Sequence, residues 1–227
     1  MKKINTAIIG LGHIGYSYDR ESGTKRTHFS QISNHQKFRL IAVCDTDTKK
    51  TNQLKSDIID NIQIYNNYVL MLENNIIDLL VLAIPSCSQK KIIDYSLSKD
   101  IKNFIIEKPF LNNSVEIKEV IKQISKMQGK VYVNYPRTWD SVFLANFKKA
   151  ISDKVLYINA FISGDLKGNA SHLIDLIFQS FSNKDDYPTI SLKYSNENNV
   201  CLRFKNKKQA YDRTTCFRIW WPRCNCC

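Results

Sequence analysis

The chain has 227 residues, 43% of them hydrophobic, which is enough to build one full domain and a smaller second one. Lys and Arg number 33 against 21 acidic residues, a net charge of +12. The cations lie in scattered pairs such as Lys49-Lys50, Lys90-Lys91 and Lys207-Lys208, without a basic stripe or interleaved aromatics, so a nucleic-acid partner is not expected. No run approaches the roughly 18 apolar residues of a membrane span, and Met1-Lys2-Lys3 does not open a signal peptide, so the expectation is a cytoplasmic protein with no membrane partner.

From residue 3 to about 132, short aliphatic runs alternate with longer amphipathic segments, the pattern of β-α-β units and a parallel sheet. Strands are predicted over residues 5–9, 39–44, 79–83, 103–107 and 130–134. Helices are predicted over 69–74 and 90–98, and over 115–127 with Ser114 as N-cap. After Tyr135 the order becomes α+β: a helix over 142–151, a strand over 155–163, a helix over 172–181, and strands over 189–194 and 200–205 joined by a polar turn.

The first strand runs into Gly10-Leu11-Gly12-His13-Ile14-Gly15, a G-x-G-x-x-G at a strand-to-helix handover. In that spacing the first glycine allows a tight turn, the second lets backbone approach a pyrophosphate, and the third lets helix and strand pack closely. The second strand ends at Asp45, where a carboxylate accepts hydrogen bonds from ribose hydroxyls and repels a 2′-phosphate, which favours NAD over NADP. Lys49 and Lys50 just beyond weaken that preference. The longer than usual spacing from glycines to Asp45 is assigned to an inserted loop over residues 16–27.

The strand over 103–107 ends in Glu107-Lys108-Pro109, at the carboxyl edge where ligands bind in open α/β sheets. A lysine there can hold a substrate hydroxyl or carbonyl and share in proton transfer. Taken with the glycine motif, Asp45 and Ala83-Ile84-Pro85-Ser86, this triplet resembles the Gfo/Idh/MocA oxidoreductase family. The resemblance continues through Asn134-Tyr135-Pro136-Arg137 and Gly168-Asn169-Ala170-Ser171-His172-Leu173-Ile174-Asp175-Leu176, and covers residues 3–210.

The resemblance implies an N-terminal Rossmann doubly wound parallel sheet followed by an incomplete α+β domain with an open mixed sheet. It implies an NAD-dependent oxidoreductase that moves a hydride between the nicotinamide and a carbon of a sugar or nucleotide sugar, in surface-polysaccharide synthesis. Gly10, Gly12, His13, Ile14, Gly15, Asp45, Pro85 and Glu107 are then the cofactor-binding residues, and Lys108 orients the substrate. His172 is the proton acceptor, and Arg137, Asn169 and Asp175 join Lys108 and His172 in binding substrate. The second-domain sheet is the expected face for a homo-oligomer. Two positions depart from the family pattern: Gly168 stands where an acidic residue often precedes the histidine, with Asp165 as its only substitute. Gln89 replaces the histidine of Pro-x-x-x-His. Both are read as differences in substrate.

The expected domains are residues 1–125 for the dinucleotide, 126–212 for part of the substrate domain, and 213–227 as an aberrant tail. Past Asp212 the sequence holds two of three tryptophans and Cys216, Cys224, Cys226 and Cys227, four of seven cysteines. A shifted or prematurely ended reading frame is the simplest source of such a jump. The spacing of those cysteines does not suit one tetrahedral zinc, so no metal site is expected. Cys44 and Cys87 read as small buried thiols. The competing reading is a truncated chain that binds NAD and catalyses nothing.

Overall fold

The computed structural model describes residues 2–57, 61–150, 160–161, 171–179, 189–196, 199–205 and 214–220. The chain divides into two compact units, Met1–Asn134 and Tyr135–Cys227.

The first unit runs β1 (Ile4–Ile9), a π-helical turn (His13–Ser17), α1 (Tyr18–Ser22), α2 (His28–Ser33), β2 (Phe38–Cys44), α3 (Thr48–Asp57), β3 (Gln63–Tyr65), α4 (Tyr68–Glu73), β4 (Leu79–Leu82), α5 (Ser86–Ser98), β5 (Asn103–Glu107), α6 (Ser114–Lys126) and β6 (Lys130–Asn134). The six strands form one parallel sheet in the order β3-β2-β1-β4-β5-β6. Its order reverses between β1 and β4, which opens a crevice at their carboxyl ends.

Continuous aliphatic runs suit this sheet because both its faces are covered. Ala7, Ile9, Leu80, Leu82, Phe104 and Ile106 pack on one face with Ile93 of α5 and with Val120 and Ile124 of α6. The alternate residues Ile8, Val43 and Val81 pack on the other with Tyr16, Ile32 and Leu54. The period-two alternation of side chains thus distributes each strand between two cores, and helices on both faces make the sheet doubly wound.

Two details of the sequence reading change. The N-cap of α6 is Asn113, whose Oδ1 accepts from the backbone N–H of Val115 at 3.1 Å and of Glu116 at 2.9 Å; Asn and Ser cap equally well, and the residue one step earlier has the extended backbone a cap needs. The short edge strand β3 and helix α3 had no clear apolar period, since α3 buries only Thr51 and Leu54.

The second unit holds α7 (Pro136–Trp139), α8 (Ser141–Ala150), β7 (Ala160–Phe161), α9 (Ser171–Gln179), β8 (Thr189–Asn196), β9 (Asn199–Lys205) and β10 (Thr214–Trp220). The strands form a mixed sheet in the order β7-β10-β9-β8: β10 is antiparallel to β9 and parallel to β7. Its first residue is Tyr135, because β6 pairs with β5 and belongs to the first sheet, so the division falls after Asn134 and not at 125. Residues 214–220 form a strand where the sequence reading expected no regular element; Thr-Thr-Cys-Phe-Arg-Ile-Trp is rich in β-branched and aromatic residues that suit one. Cys224, Cys226 and Cys227 lie outside the described residues. Among the described residues, no helix is long and apolar enough to cross a membrane.

Candidate functional site

The glycine motif is built around three different steric demands. Gly10 has φ +101°, and a Cβ there would lie 2.2 Å from the Ala83 carbonyl oxygen at the end of β4. A Cβ on Gly15 would lie 2.1 Å from the Gly10 carbonyl oxygen. Both glycines are therefore required by the protein's own packing. Gly12 is different: its φ of −69° suits any residue, and a Cβ there meets nothing within 4 Å. Space left open beside a loop at the sheet's crevice fits a dinucleotide pyrophosphate, the group that needs close backbone approach.

That space belongs to a cavity of about 630 Å³ lined by Gly10, Gly12, Asp45, Thr46, Lys50, Tyr68, Ala83, Pro85, Cys87 and Lys91, among others. Four of the sequence-predicted cofactor residues thus share one cavity: Gly10, Gly12, Asp45 and Pro85. Asp45 sits at its β2 end, where Oδ2 accepts from the Leu11 backbone N–H at 2.7 Å and Oδ1 from that of Asp47 at 2.9 Å. Lys50 Nζ lies 3.7 Å from Asp45 Oδ2. Cys44 is buried beside it, and burial, with the Asp45 charge adding, pushes its thiol up to about 12. Cys87, expected to be buried, is exposed; it occupies the first turn of α5, on the crevice side of the sheet. His13 and Ile14 are exposed at the start of the π-helical turn, with His13 edge-on to Tyr18 at 4.6 Å.

Glu107 and Lys108 stand at the end of β5. Glu107 is buried, and its Oε1 receives a hydrogen bond from Asn134 Nδ2 at 2.6 Å and contacts His28 Nε2 at 2.8 Å. Burial disfavours the charge, but the bonds to His28 and Asn134, with the nearby Lys108 charge, outweigh it and hold the carboxyl below its ordinary range. Lys108 is partly exposed, and the Lys108-Pro109 peptide is cis.

Two residues of this site differ from the sequence reading: Gln89, which was assigned to substrate choice, and His28, which was given no role. Gln89 is fully buried, with Nε2 donating to the carbonyls of Glu107 at 3.0 Å, Pro109 at 3.2 Å and Ile84 at 3.3 Å, while Oε1 accepts from the Leu111 N–H at 2.9 Å. It ties α5 to the backbone on both sides of Lys108, which is an internal role and not one of substrate choice. His28 opens α2 after the segment expected to be an inserted loop. That segment is partly helical, and its turn is organised by Asp19, which accepts from the backbone N–H of Arg26 and Thr27 and from the hydroxyls of Thr24, Thr27 and Ser30. The available signal was Thr27, which caps α2 through the Ser30 N–H at 3.2 Å.

In the second unit, α9 carries His172 and Asp175, with Leu176 and Ile177 buried. The Tyr135 ring meets the His172 ring edge-on at 5.4 Å. Burial raises the Tyr135 phenol, a bond with Ser171 opposes this, and the Asp175 charge adds to it. Asp175 is likewise raised by burial against bonds with Thr138 and Gln179. Arg137 is exposed on α7. Asn169, Gly168 and Asp165 lie outside the described residues.

A doubly wound sheet with a glycine loop, an acidic residue after β2 and a cavity between them defines a dinucleotide-binding type of domain. The family model described as "Oxidoreductase family, NAD-binding Rossmann fold" matches residues 4–135, more than half of the chain. The chain belongs to the Gfo/Idh/MocA oxidoreductase family. No curated protein sequence matches it.

Solved structures share the fold at low identity. YvaA from Bacillus subtilis aligns over 97% of this chain with a TM-score of 0.73 and 16% identity. Myo-inositol 2-dehydrogenase from Lactobacillus plantarum aligns over 96% of this chain and 69% of its own, with a TM-score of 0.72 and 19% identity. The WlbA dehydrogenase from Chromobacterium violaceum, solved with NADH and UDP-GlcNAcA, aligns over 97% of this chain and 67% of its own, with a TM-score of 0.71 and 16% identity. The chain spans 64% of the length of YvaA.

Proposed function

We propose that this protein is an NAD-dependent dehydrogenase of a sugar, a polyol or a nucleotide sugar. The observation that carries the reading is the open position at Gly12, above a cavity that ends at the Asp45 carboxylate. The carboxylate suits a ribose diol and disfavours a 2′-phosphate, which supports NAD over NADP. Bound NAD supplies the hydride acceptor at its nicotinamide ring. The chain's own residues bind and orient: the loop of Gly10 and Gly12 receives the pyrophosphate, Asp45 the adenosine ribose, and Pro85 and Glu107 support the crevice toward β5.

Lys108 holds the substrate hydroxyl by donating a hydrogen bond, and its charge favours the alkoxide character that develops as hydride leaves the carbon. His172 takes the hydroxyl proton, a role that suits an imidazole because its ordinary pKa lies near neutrality. Arg137, Asn169 and Asp175 complete the substrate contacts. The relatives named for myo-inositol and solved with UDP-GlcNAcA support one chemical class, vicinal secondary alcohols on a six-membered ring. A cytoplasmic location and a homo-oligomer joined through the second-unit sheet belong to the same reading.

The test is nicotinamide reduction in the presence of NAD and, in turn, myo-inositol, scyllo-inositol and UDP-GlcNAcA. A fluorescence rise with one of them, lost in K108A and H172A, is expected. If NAD raises the melting temperature but none of these alcohols, nor a wider panel of pyranosides, yields reduced cofactor, the catalytic reading fails while the cofactor site stands.

A further inference from the structure

The contact between His28 and Glu107 joins residues 79 positions apart in sequence, and both side chains are nearly closed to solvent, 12% and 11% exposed. We propose that His28 is a positioning residue for Lys108: by holding the Glu107 carboxylate, it sets the direction of the charge beside which Lys108 projects from the end of β5. This inference rests on Lys108 as the substrate-orienting group.

Three features carry it. First, Glu107 is a buried carboxylate, and such a group is usually less stabilising than an apolar residue of the same size. Among the described residues its charge is supported by two side-chain bonds, to His28 and Asn134, both made at Oε1. Its position immediately before Lys108, at the crevice edge of the sheet, gives that arrangement a use that a core contact lacks.

Second, the backbone around Lys108 is pinned independently of His28. Gln89 bonds the carbonyls of Glu107 and Pro109, and Asn134 pairs with Glu107 across the β5–β6 register. The His28 contact therefore adds little to keeping the strand in place. What it controls is the direction of the Glu107 carboxylate, and with it the local field and rotamer of the adjoining lysine.

Third, His28 is delivered by a rigid arm. Asp19 gathers five donors from Thr24, Arg26, Thr27 and Ser30, and Thr27 caps the helix whose first residue is His28. A side chain held this firmly at both ends is set for alignment, and displacements near 1 Å in a catalytic group cost about a hundredfold in rate.

The decisive comparison uses the full chain with H28F, which keeps a ring but removes the nitrogen, H28Q, which restores a donor, and E107Q and K108A. Three readouts are independent of turnover: the pH titration of the Glu107 carboxyl by 13C NMR, the rate of Lys108 acetylation by acetic anhydride, mapped by mass spectrometry, and calorimetric titration with NAD. In H28F the Glu107 titration should move up and Lys108 acetylation should change at least threefold, with NAD affinity within twofold of the parent. Turnover on whichever ring alcohol is oxidised should fall about 10- to 100-fold, with H28Q recovering most of it and the KM for NAD unmoved. E107Q should reproduce the H28F effect on Lys108, and it decides the matter if H28F does not fold. Unchanged Lys108 acetylation in both H28F and E107Q overturns the proposal even if no substrate is found. If K108A abolishes turnover while H28F keeps it, only the role of His28 fails; if K108A keeps turnover, the reading of Lys108 fails and this proposal with it.

Discussion

Gly15 lies directly against Gly10: a Cβ on Gly15 would stand 2.1 Å from the Gly10 carbonyl oxygen, whereas a Cβ on Gly12 between them would meet nothing within 4 Å. The motif therefore separates into two glycines that the fold requires and one, Gly12, that the fold leaves free. Gly15→Ala should destabilise the protein by about 2–3 kcal/mol, because backbone has to move to admit the methyl group. Gly12→Ala should leave stability within about 0.5 kcal/mol and weaken NAD binding at least tenfold. Urea unfolding paired with calorimetric NAD titration measures both, and a Gly12→Ala protein that binds NAD normally would remove the pyrophosphate from this loop.

Asp45 gives a second, independent check on the cofactor. Its carboxylate is already hydrogen-bonded to Leu11 and approached by Lys50 at 3.7 Å, so it is fixed at the cavity end before any ligand arrives. If Asp45 receives the ribose as proposed, replacing it with alanine should cost charge-assisted bonds worth about 1.5–3 kcal/mol, or roughly 10- to 100-fold in Kd. With Lys50 left in place, the ratio of NADP to NAD affinity should rise. Titrations of both cofactors against parent and D45A decide it; an unchanged NAD affinity means the adenosine end lies elsewhere.

The sheet and the glycine loop beside the cavity were legible in the sequence because those features are local. Strands such as Leu79–Leu82 and Asn103–Glu107 are buried on both faces and announce themselves as aliphatic runs, and the glycine loop and Asp45 lie at fixed offsets from strand ends. His28 was invisible for the opposite reason. Its relation to Glu107 depends on how residues 16–27 turn back on Asp19, and no short spacing encodes that. Gln89 was noticed as a departure from a family pattern but assigned to substrate choice, since burial and four backbone partners cannot be read from one letter. Thr214–Trp220 was masked by the cysteines and tryptophans around it, although its β-branched and aromatic residues fit a strand.

Gln89 should accordingly behave as an interior staple. The isosteric change Gln89→Leu strands the carbonyls of Glu107 and Pro109 and the N–H of Leu111 inside the protein, at about 1–3 kcal/mol for each group left unpaired. Relaxation and water entry recover part of this, so a loss of roughly 2–4 kcal/mol is expected. Chemical denaturation gives the value directly. A loss below about 0.5 kcal/mol would mean that the loop around Lys108 holds its shape without Gln89.

The Asp19 hub makes a prediction in pH. Partial burial works against ionisation of this carboxyl, but bonds from the Ser30 and Thr27 hydroxyls and from the Arg26 and Thr27 N–H groups outweigh it and hold Asp19 far below its ordinary value of 3.8. A folded-state pKa below the unfolded one means that folding favours the charged form. The contribution is then in full above the unfolded value, near pH 4, and is lost as pH falls toward the folded one. Asn in this position keeps the size of the side chain but accepts only through one oxygen, so D19N should be less stable than the parent at neutral pH. The gap between the two should stay constant from pH 7 to about pH 5 and narrow progressively below about pH 4, as the parent loses what the variant never had. Because the hub delivers His28, D19N should also raise the Glu107 titration toward that of H28F. Urea unfolding of both proteins at a series of pH values gives the first result and carboxyl NMR the second. A stability gap that does not narrow on acidification would show that the charge of Asp19 is not what orders the turn, and a Glu107 titration unchanged in D19N would show that His28 holds its place without it.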